Sequence, residues 1–179
     1  ELVLTDLEAV EKKIERTGKL VKSNGKAGED ARSEMALLER LRAHLGTGQP
    51  ARSLTLNADE SVIAKELFLL TSKPVLYIAN ISESQLSQPE ASAHFVALRD
   101  WATARQSVTI PISASIEAEI SQLPEGERTE YLAGLGLSES GLHRVIREAY
   151  KILGLITFLT AGPKEARAWT VRVGAKAPQ

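Results

Sequence analysis

The stretch Val75-Leu76-Tyr77-Ile78-Ala79-Asn80 decides the fold class of this 179-residue chain. Its apolar residues follow one another without interruption, which is typical of a strand buried on both faces of a parallel sheet. Val108, Ile110 and Ile112 alternate along a second predicted strand, and an amphipathic helix is expected between the two strands. Strand, helix and strand in this order predict an α/β fold.

Helices are predicted for the residues that precede this unit. Apolar side chains recur every three or four positions over residues 7–21 and again over residues 35–45, with a glycine-containing turn between them. This pattern predicts an antiparallel coiled-coil hairpin, whose second helix we expect Asp30 to cap. Asn57, followed by Glu60, is the capping-box signature of a third helix.

A β-hairpin is predicted near the end of the chain. Residues 155–160 and 166–173 flank a turn that contains glycine and proline, and both stretches have the residues of strands. Neither a two-stranded parallel sheet nor a lone hairpin makes a stable domain by itself. We therefore expect the chain to be a fragment of an α/β protein, with the missing strands before Glu1.

Composition excludes several kinds of site. The chain has no cysteine, which rules out disulfides, thiolate metal sites and cysteine nucleophiles. The net charge of -1 indicates no class of partner, and no apolar run approaches the roughly 20 residues that span a bilayer, so no membrane is expected. His44, His94 and His143 fall on separate predicted helices, so no metal site is expected. Glu117 and Glu119 are expected to face solvent.

Polar residues follow both strands of the predicted parallel pair. Ligands of open α/β sheets bind beyond the carboxyl ends of the strands, where Asn80-Ile81-Ser82-Glu83 and Ser113-Ala114-Ser115 lie. In guanine-nucleotide-binding P-loop proteins these places carry an Asn-Lys-x-Asp motif and a Ser-Ala-Lys-like motif. The match is partial. Asn80 and Glu83 could instead be ordinary turn and loop residues, and Ser115 a helix cap.

The departures from the guanine motif carry chemical information. An aspartate at the fourth position accepts two hydrogen bonds from guanine, whereas Glu83 places its carboxylate one methylene further from the backbone. Ile81 stands where a lysine is usual and can pack on a base, and the Asn80 amide can pair with the N6/N7 edge of adenine. Strict recognition of guanine is therefore not expected.

Four segments resemble the YchF-type Obg-like ATPases: residues 71–80, 111–114, 135–142 and above all 160–170. The resemblance covers nearly the whole chain. It implies a P-loop nucleotide-binding domain, a helical coiled-coil arm inserted into it and a C-terminal TGS domain of β-grasp type. It also implies hydrolysis of ATP, with GTP as a further substrate, association with ribosomes and a cytoplasmic location.

The resemblance assigns domains and base-binding residues. Residues 1–71 correspond to the coiled-coil arm, residues 72–153 to the C-terminal part of the P-loop NTPase domain and residues 154–179 to the beginning of the TGS domain. The residues implied to bind the base are Asn80, Ile81, Glu83, Ser113, Ala114 and Ser115.

The P-loop itself does not occur in the sequence. Residues 136–141 have its glycine spacing, but Leu142-His143 follows instead of lysine and a hydroxyl residue. Phosphoryl transfer depends on the P-loop amides, its lysine and Mg²⁺, so we expect no catalytic residue here and the Mg²⁺ ligands outside this chain. The 179 residues alone are predicted to be inactive, and magnesium-dependent ATP turnover by them would contradict this.

Basic residues cluster near the tip of the predicted hairpin, at Lys12, Lys13, Arg16, Lys19 and Lys22. Such a tip could contact the phosphates of ribosomal RNA, with an affinity that falls as salt rises, and no reading of a DNA sequence is expected. The alternative is an ordinary solvated helix face. A second function also stays open, that of a non-catalytic ribosome- or protein-binding module acting through the arm and the TGS segment.

Overall fold

The computed structural model describes residues 1–23 and 25–176. The chain divides into two compact units, Glu1–Pro74 and Val75–Gln179. The first unit is helical and the second is α/β. Every helix in the described residues is too short or too polar to span a membrane.

The unit Glu1–Pro74 is built on a helical hairpin. Its helices are α1 (Leu2–Leu20), α2 (Lys26–Gly46) and α3 (Ala58–Glu66), with 3-10 turns at Ala51–Ser53 and Leu70–Ser72. The first two are antiparallel, and Thr17 near the end of α1 donates a 3.0 Å hydrogen bond to Glu34 of α2. Their facing apolar side chains form the core with the two turns: Val10, Leu37, Leu38, Leu41, Leu45, Ala51 and Leu69.

The second helix begins earlier than the sequence pattern predicts. Gly25 adopts a positive φ of 80°, which lets the chain reverse and start α2 at Lys26. Gly28 then packs so closely on the preceding turn that a Cβ would lie 1.9 Å from the carbonyl oxygen of Ser23. Asp30 therefore lies inside the helix, and the prediction that it caps α2 is wrong.

The third helix begins as predicted and ends at Glu66. The Asn57 side chain accepts a 2.8 Å hydrogen bond from the Glu60 N–H, and the Glu60 carboxylate accepts one of 3.0 Å from the Asn57 N–H. The capping box is thus confirmed. Phe68 follows with a positive φ of 50°, which stops the helix and turns the chain.

Within its described residues, the second unit contains a parallel strand pair, five α-helices, a 3-10 turn at Pro89–Ala91 and a hairpin. Strand β1 (Leu76–Asn80) pairs with β2 (Val108–Ile112), with Ile78 opposite Ile110, as the apolar pattern predicts. The antiparallel hairpin near the end of the chain is confirmed as well. The remaining elements are α4 (Glu83–Leu86), α5 (Ala93–Thr103), α6 (Ala114–Gln122), α7 (Glu125–Gly134), α8 (Gly141–Ile152), β3 (Leu155–Ala161) and β4 (Ala166–Arg172).

Strand β2 is an edge strand. The Ile112 carbonyl accepts a 2.8 Å hydrogen bond from the Ile81 N–H and so faces β1. Since neighbouring residues of a strand alternate, the Pro111 carbonyl faces the other way, and Arg144 of α8 donates a 2.8 Å hydrogen bond to it. Proline has no N–H to offer at that edge. Any further strand of this sheet would therefore pair with the free edge of β1.

Burial in this unit differs from the sequence expectation. Ile78 of β1 is 50% exposed, although its apolar run predicts burial on both faces. Leu142 and Ile146 of α8 are also exposed. These side chains belong to apolar faces that stay open in the described part of the chain.

Candidate nucleotide-base site

The two strands of the parallel pair end side by side. Asn80 is the last residue of β1 and lies opposite Ile112, the last residue of β2. Asn80 and Ser113 therefore leave the sheet at the same end, where ligands of such sheets bind. This is the placement that a shared site requires.

Asn80 joins the two strand exits directly. Its Oδ1 accepts a 3.0 Å hydrogen bond from the backbone N–H of Ala114, at the start of α6. That N–H belongs to the first turn of a helix and has no partner within the helix. The Asn80 side chain is exposed, and its Nδ2 hydrogens are still available to a ligand.

This hydrogen bond narrows what Asn80 can recognise. The free Nδ2 donors suit an acceptor such as N7, which adenine and guanine share. Pairing with both N6 and N7 of adenine would require Oδ1 to accept a second hydrogen bond, from the N6 amine, in addition to the one from Ala114. The Asn80 side chain is therefore better suited to binding either purine than to distinguishing between them.

The segment after β2 offers only part of its side chains to a ligand. Ser113 is 2% exposed, and its Oγ lies 2.9 Å from the Oγ of Ser115. Ala114 and Ser115 are exposed. The buried Ser113 therefore holds Ser115 in place through their hydroxyls, while Ala114 and Ser115 form the accessible surface of the segment.

Ile81 and Glu83 have different surroundings. Ile81 is half-buried and packs against the core cluster of Leu86, Ile116 and Ile120. Glu83 is exposed in the first turn of α4, after the capping residue Ser82. Part of the Ile81 side chain is thus used by the core, while the Glu83 carboxylate is presented at the surface.

The basic residues of α1 share one face. Lys12, Arg16 and Lys19 are exposed and follow each other at the spacing of one side of a helix. Lys22 is exposed just beyond the helix. Lys13 is different, because it forms a 2.8 Å ion pair with Glu34 of α2.

Comparison with known proteins gives matches that extend over the whole of this chain. No family model matches the chain. It is 41% identical over all 179 residues to the ribosome-binding ATPase YchF of Bacillus subtilis and 43% identical to that of Escherichia coli O157:H7. It is also 33% identical over 183 residues to Obg-like ATPase 1 of Saccharomyces cerevisiae. The chain belongs to the YchF-type Obg-like ATPase family. It spans about half the length of these relatives, 48%, 48% and 46% respectively.

A solved structure agrees with this assignment to the YchF family. The structure of the Schizosaccharomyces pombe YchF GTPase matches 99% of the chain with a TM-score of 0.87 and 31% sequence identity. The match covers 48% of that protein. The α/β fold of the chain is thus that of a YchF protein.

Glu117 of this YchF-family chain has a structural role that no pattern in the sequence indicates. Its carboxylate accepts hydrogen bonds from the N–H groups of Gly141, at 2.6 Å, and Leu142, at 3.1 Å. Gly141 allows this approach, since a Cβ there would lie 2.6 Å from Cγ2 of Ile112. Glu117 therefore ties α6 to the start of α8, and the expectation that it simply faces solvent is wrong.

Glu119 also has a partner, the phenol of Tyr131 on α7, which donates a hydrogen bond to its carboxylate.

In the residues that the structure describes, no three His, Cys, Asp or Glu side chains come together to hold a metal ion.

The Tyr131–Glu119 hydrogen bond predicts a late tyrosine titration. The bond, burial and the negative charges of Glu119 and Glu83 together raise the pKa of Tyr131 to about 12. A raised pKa means that the bond contributes fully below the ordinary tyrosine value of about 10 and is lost as pH rises through 12. Following tyrosinate absorbance against pH should show this late step, and Tyr131→Phe should remove it.

Glu119→Gln is the control for this titration. It leaves the phenol in place and removes the acceptor charge, so the late step should move to lower pH. A late step that persists unchanged in both variants would contradict the assignment.

Proposed function

We propose that this chain carries the base-recognition half of a purine-nucleotide site in a ribosome-associated NTPase that hydrolyses ATP and also accepts GTP. The observation that carries the proposal is the hydrogen bond between Asn80 and the Ala114 N–H, which joins the two strand exits at the ligand-binding end of the sheet. The names of the relatives, ribosome-binding ATPase and Obg-like ATPase, support it.

In this proposal the purine lies against the two strand exits. Nδ2 of Asn80 donates to N7 of the base, and Ala114 and Ser115 form the surface that covers the base edge. Ser113, which is buried, holds Ser115 through their hydroxyls. The exposed part of Ile81 packs against the ring.

Guanine is disfavoured for two reasons in this arrangement. The Ala114 N–H already donates to Asn80, so it is not free to bind the keto oxygen of guanine. Glu83 carries its carboxylate one methylene further out than the aspartate that normally accepts from the guanine edge. Adenine presents an acceptor at N1 and needs no carboxylate there.

The remaining parts of the proposal follow the family pattern. Residues 72–153 form the C-terminal part of a P-loop domain, and the open edge of β1 and the exposed apolar side chains of α8 support the presence of further strands beside them. Residues 1–71 form the arm inserted in that domain, and residues 154–179 begin a TGS domain. The parent protein, which contains this chain together with a P-loop, acts in the cytoplasm.

The phosphates and Mg²⁺ are handled elsewhere in the parent protein. Mg²⁺ neutralises charge on the phosphates in such enzymes, and its protein ligands lie outside this chain. To the hydrolysis reaction, the described residues contribute only binding and orientation of the base. For this reason we propose that the isolated chain turns over no ATP.

Base preference is the direct test of this function. Titrating fluorescent ATP and GTP analogues against the parent protein should give tighter binding of ATP. The double variant Ile81→Lys with Glu83→Asp restores the guanine-type motif and should shift the ratio of affinities toward GTP by about tenfold. An unchanged ratio would remove this account of base selection.

A matched control is Gln88→Lys with Glu90→Asp, which introduces the same lysine and shortens an acid by the same methylene outside the strand exits, and which should leave the ratio unaltered. Failure of both nucleotides to bind the parent protein would instead favour the second function, a non-catalytic ribosome- or protein-binding module.

We further propose that the exposed basic face of α1 contacts ribosomal RNA. Replacing Lys12, Arg16 and Lys19 by alanine in the parent protein should weaken ribosome binding and flatten its dependence on salt, because each lost phosphate contact lowers the slope of log K against log salt by roughly 0.7–0.9. Lys13 is expected to matter less, since Glu34 already holds it.

The control for this prediction removes the same charge elsewhere. Arg42, Lys65 and Lys73 are exposed and lie outside α1. Their replacement by alanine should leave the salt slope near that of the unmodified protein. Equal slopes for both triple variants would mean that α1 makes no specific phosphate contacts.

A further inference from the structure

A groove on the helical unit Glu1–Pro74 takes no part in the proposed nucleotide site or in the proposed RNA contact. It has a volume of about 610 Å³ and is lined by one face of α2, one face of α3 and Leu20 of α1. Residues 27–34 of α2 and residues 59–66 of α3 supply its two walls. Each wall is two helical turns long, about 10 Å at 1.5 Å per residue.

Apolar side chains in this groove are available for contact. Val62 of α3 is 60% exposed and Leu20 is 56% exposed. Ile63 beside Val62 packs against the core of the unit, so the groove has a fixed apolar base rather than a loose surface. Exposed aliphatic side chains in a concave site favour a partner that brings its own apolar side chains.

Among the residues that the structure describes, the charged side chains that line the groove are all acidic. They are Asp30, Glu34, Asp59 and Glu66. Glu34 is paired with Lys13, whereas in the described residues Asp30, Asp59 and Glu66 form no ion pair. The rim therefore repels nucleic-acid phosphates and attracts cationic side chains.

We infer that this groove binds a short basic amphipathic helix of a protein partner. A helix of two to three turns matches the length of the walls, and this mode of recognition places apolar side chains in the groove with charged ones at its rim. Its apolar side chains contact Val62 and Leu20, and its lysines or arginines pair with Asp59 and Glu66. This inference does not rest on the proposed nucleotide function.

The experiment uses the parent protein and two labelled peptides. One is an amphipathic helical peptide of leucine and lysine, and the other has every lysine replaced by glutamate. Fluorescence anisotropy should detect binding of the lysine peptide and none of the glutamate peptide. Asp59→Lys with Glu66→Lys should weaken binding of the lysine peptide by about tenfold or more.

Two further variants separate the groove from general charge attraction. Glu11→Lys with Glu39→Lys makes the same charge change at exposed positions outside the groove and should change affinity less than about twofold. Val62→Ser leaves the charge unaltered and should still weaken binding. Equal losses from both double reversals, or no loss from Val62→Ser, would overturn the inference.

The same variants also show whether RNA or a second copy of the chain occupies the groove instead. A single-stranded RNA that competes with the peptide for the groove would contradict the assignment of a basic protein helix. Self-association of the chain that is abolished by Asp59→Lys with Glu66→Lys would make a second copy the occupant, and would contradict it equally.

Discussion

Asp6→Ala is expected to lower the free energy of unfolding of the helical unit by about 3 kcal/mol or more, because it leaves buried donors of the 3-10 turn at Leu70–Ser72 without a partner. Asp6 is 2% exposed. Its carboxylate accepts hydrogen bonds of 2.7 Å from the N–H groups of Leu70 and Thr71 and of 2.6 Å from the Thr71 hydroxyl.

The Asp6 contacts extend into a small network. The Thr71 hydroxyl, which donates to Asp6, accepts a 2.9 Å hydrogen bond from the Ala51 N–H. One carboxylate thus fixes both 3-10 turns of the unit against α1. Loss of an ionised acceptor in such a network costs more than loss of a surface ion pair, because the N–H and hydroxyl of Thr71 are buried away from water.

Urea denaturation followed by helical circular dichroism measures this effect. Glu8→Ala is the control, since Glu8 is an exposed acid on the same helix and its loss should change stability by less than about 0.5 kcal/mol. Asp6→Asn keeps the shape but replaces one acceptor by a donor, and it should also destabilise the unit. A stability change for Asp6→Ala no larger than that for Glu8→Ala would contradict the role assigned to Asp6.

Local patterns in the sequence predict much of this fold. The two parallel strands, the hairpin strands and the Asn57 capping box depend on residues close in the chain, and all three are confirmed. The placement of both strand exits at one end of the sheet follows from parallel pairing alone. These features need no knowledge of distant contacts.

Features that depend on distant residues are those the sequence does not reveal. Asp6 binds groups 64 and 65 residues away, and Glu117 binds an N–H 24 residues away. No spacing rule connects such partners. The hydrogen bond between Asn80 and Ala114, which are 34 residues apart, is of the same kind. The sequence predicts that both residues lie at the strand exits, but not that the Ala114 N–H donates to the Asn80 side chain.

Two residues, Pro111 and Gly25, are local sequence signals that agree with the structure. Pro111 inside an apolar strand indicates an edge strand, which the structure bears out. Gly25 and Asp30 are both candidates for the residue that precedes α2. The helix follows Gly25, because a glycine with a positive φ lets the chain turn about one helical turn before Asp30.

Asn80→Ala is expected to weaken nucleotide binding by the parent protein by about tenfold or more, since it removes both the link to Ala114 and the donor to the base. Asn80 is exposed, so stability should change little. The loss should affect ATP and GTP alike, because N7 is common to both bases.

Asn80→Asp separates the two roles of this side chain. The aspartate can still accept a hydrogen bond from the Ala114 N–H, but it has no donor for N7 and adds a negative charge. A loss of affinity in Asn80→Asp that matches the loss in Asn80→Ala would show that the contact to the base dominates. A smaller loss in Asn80→Asp would assign more of the effect to positioning of Ala114.

In the proposed function, the exits of β1 and β2 together form a purine-binding cleft. Titration of fluorescent ATP and GTP analogues against the parent protein and its Asn80→Ala variant tests it most directly, with Gln88→Ala as a control outside the strand exits. We expect Asn80→Ala to lose about tenfold or more in affinity for both nucleotides and Gln88→Ala to keep both affinities. Unchanged affinities in Asn80→Ala, with the protein folded, would contradict it.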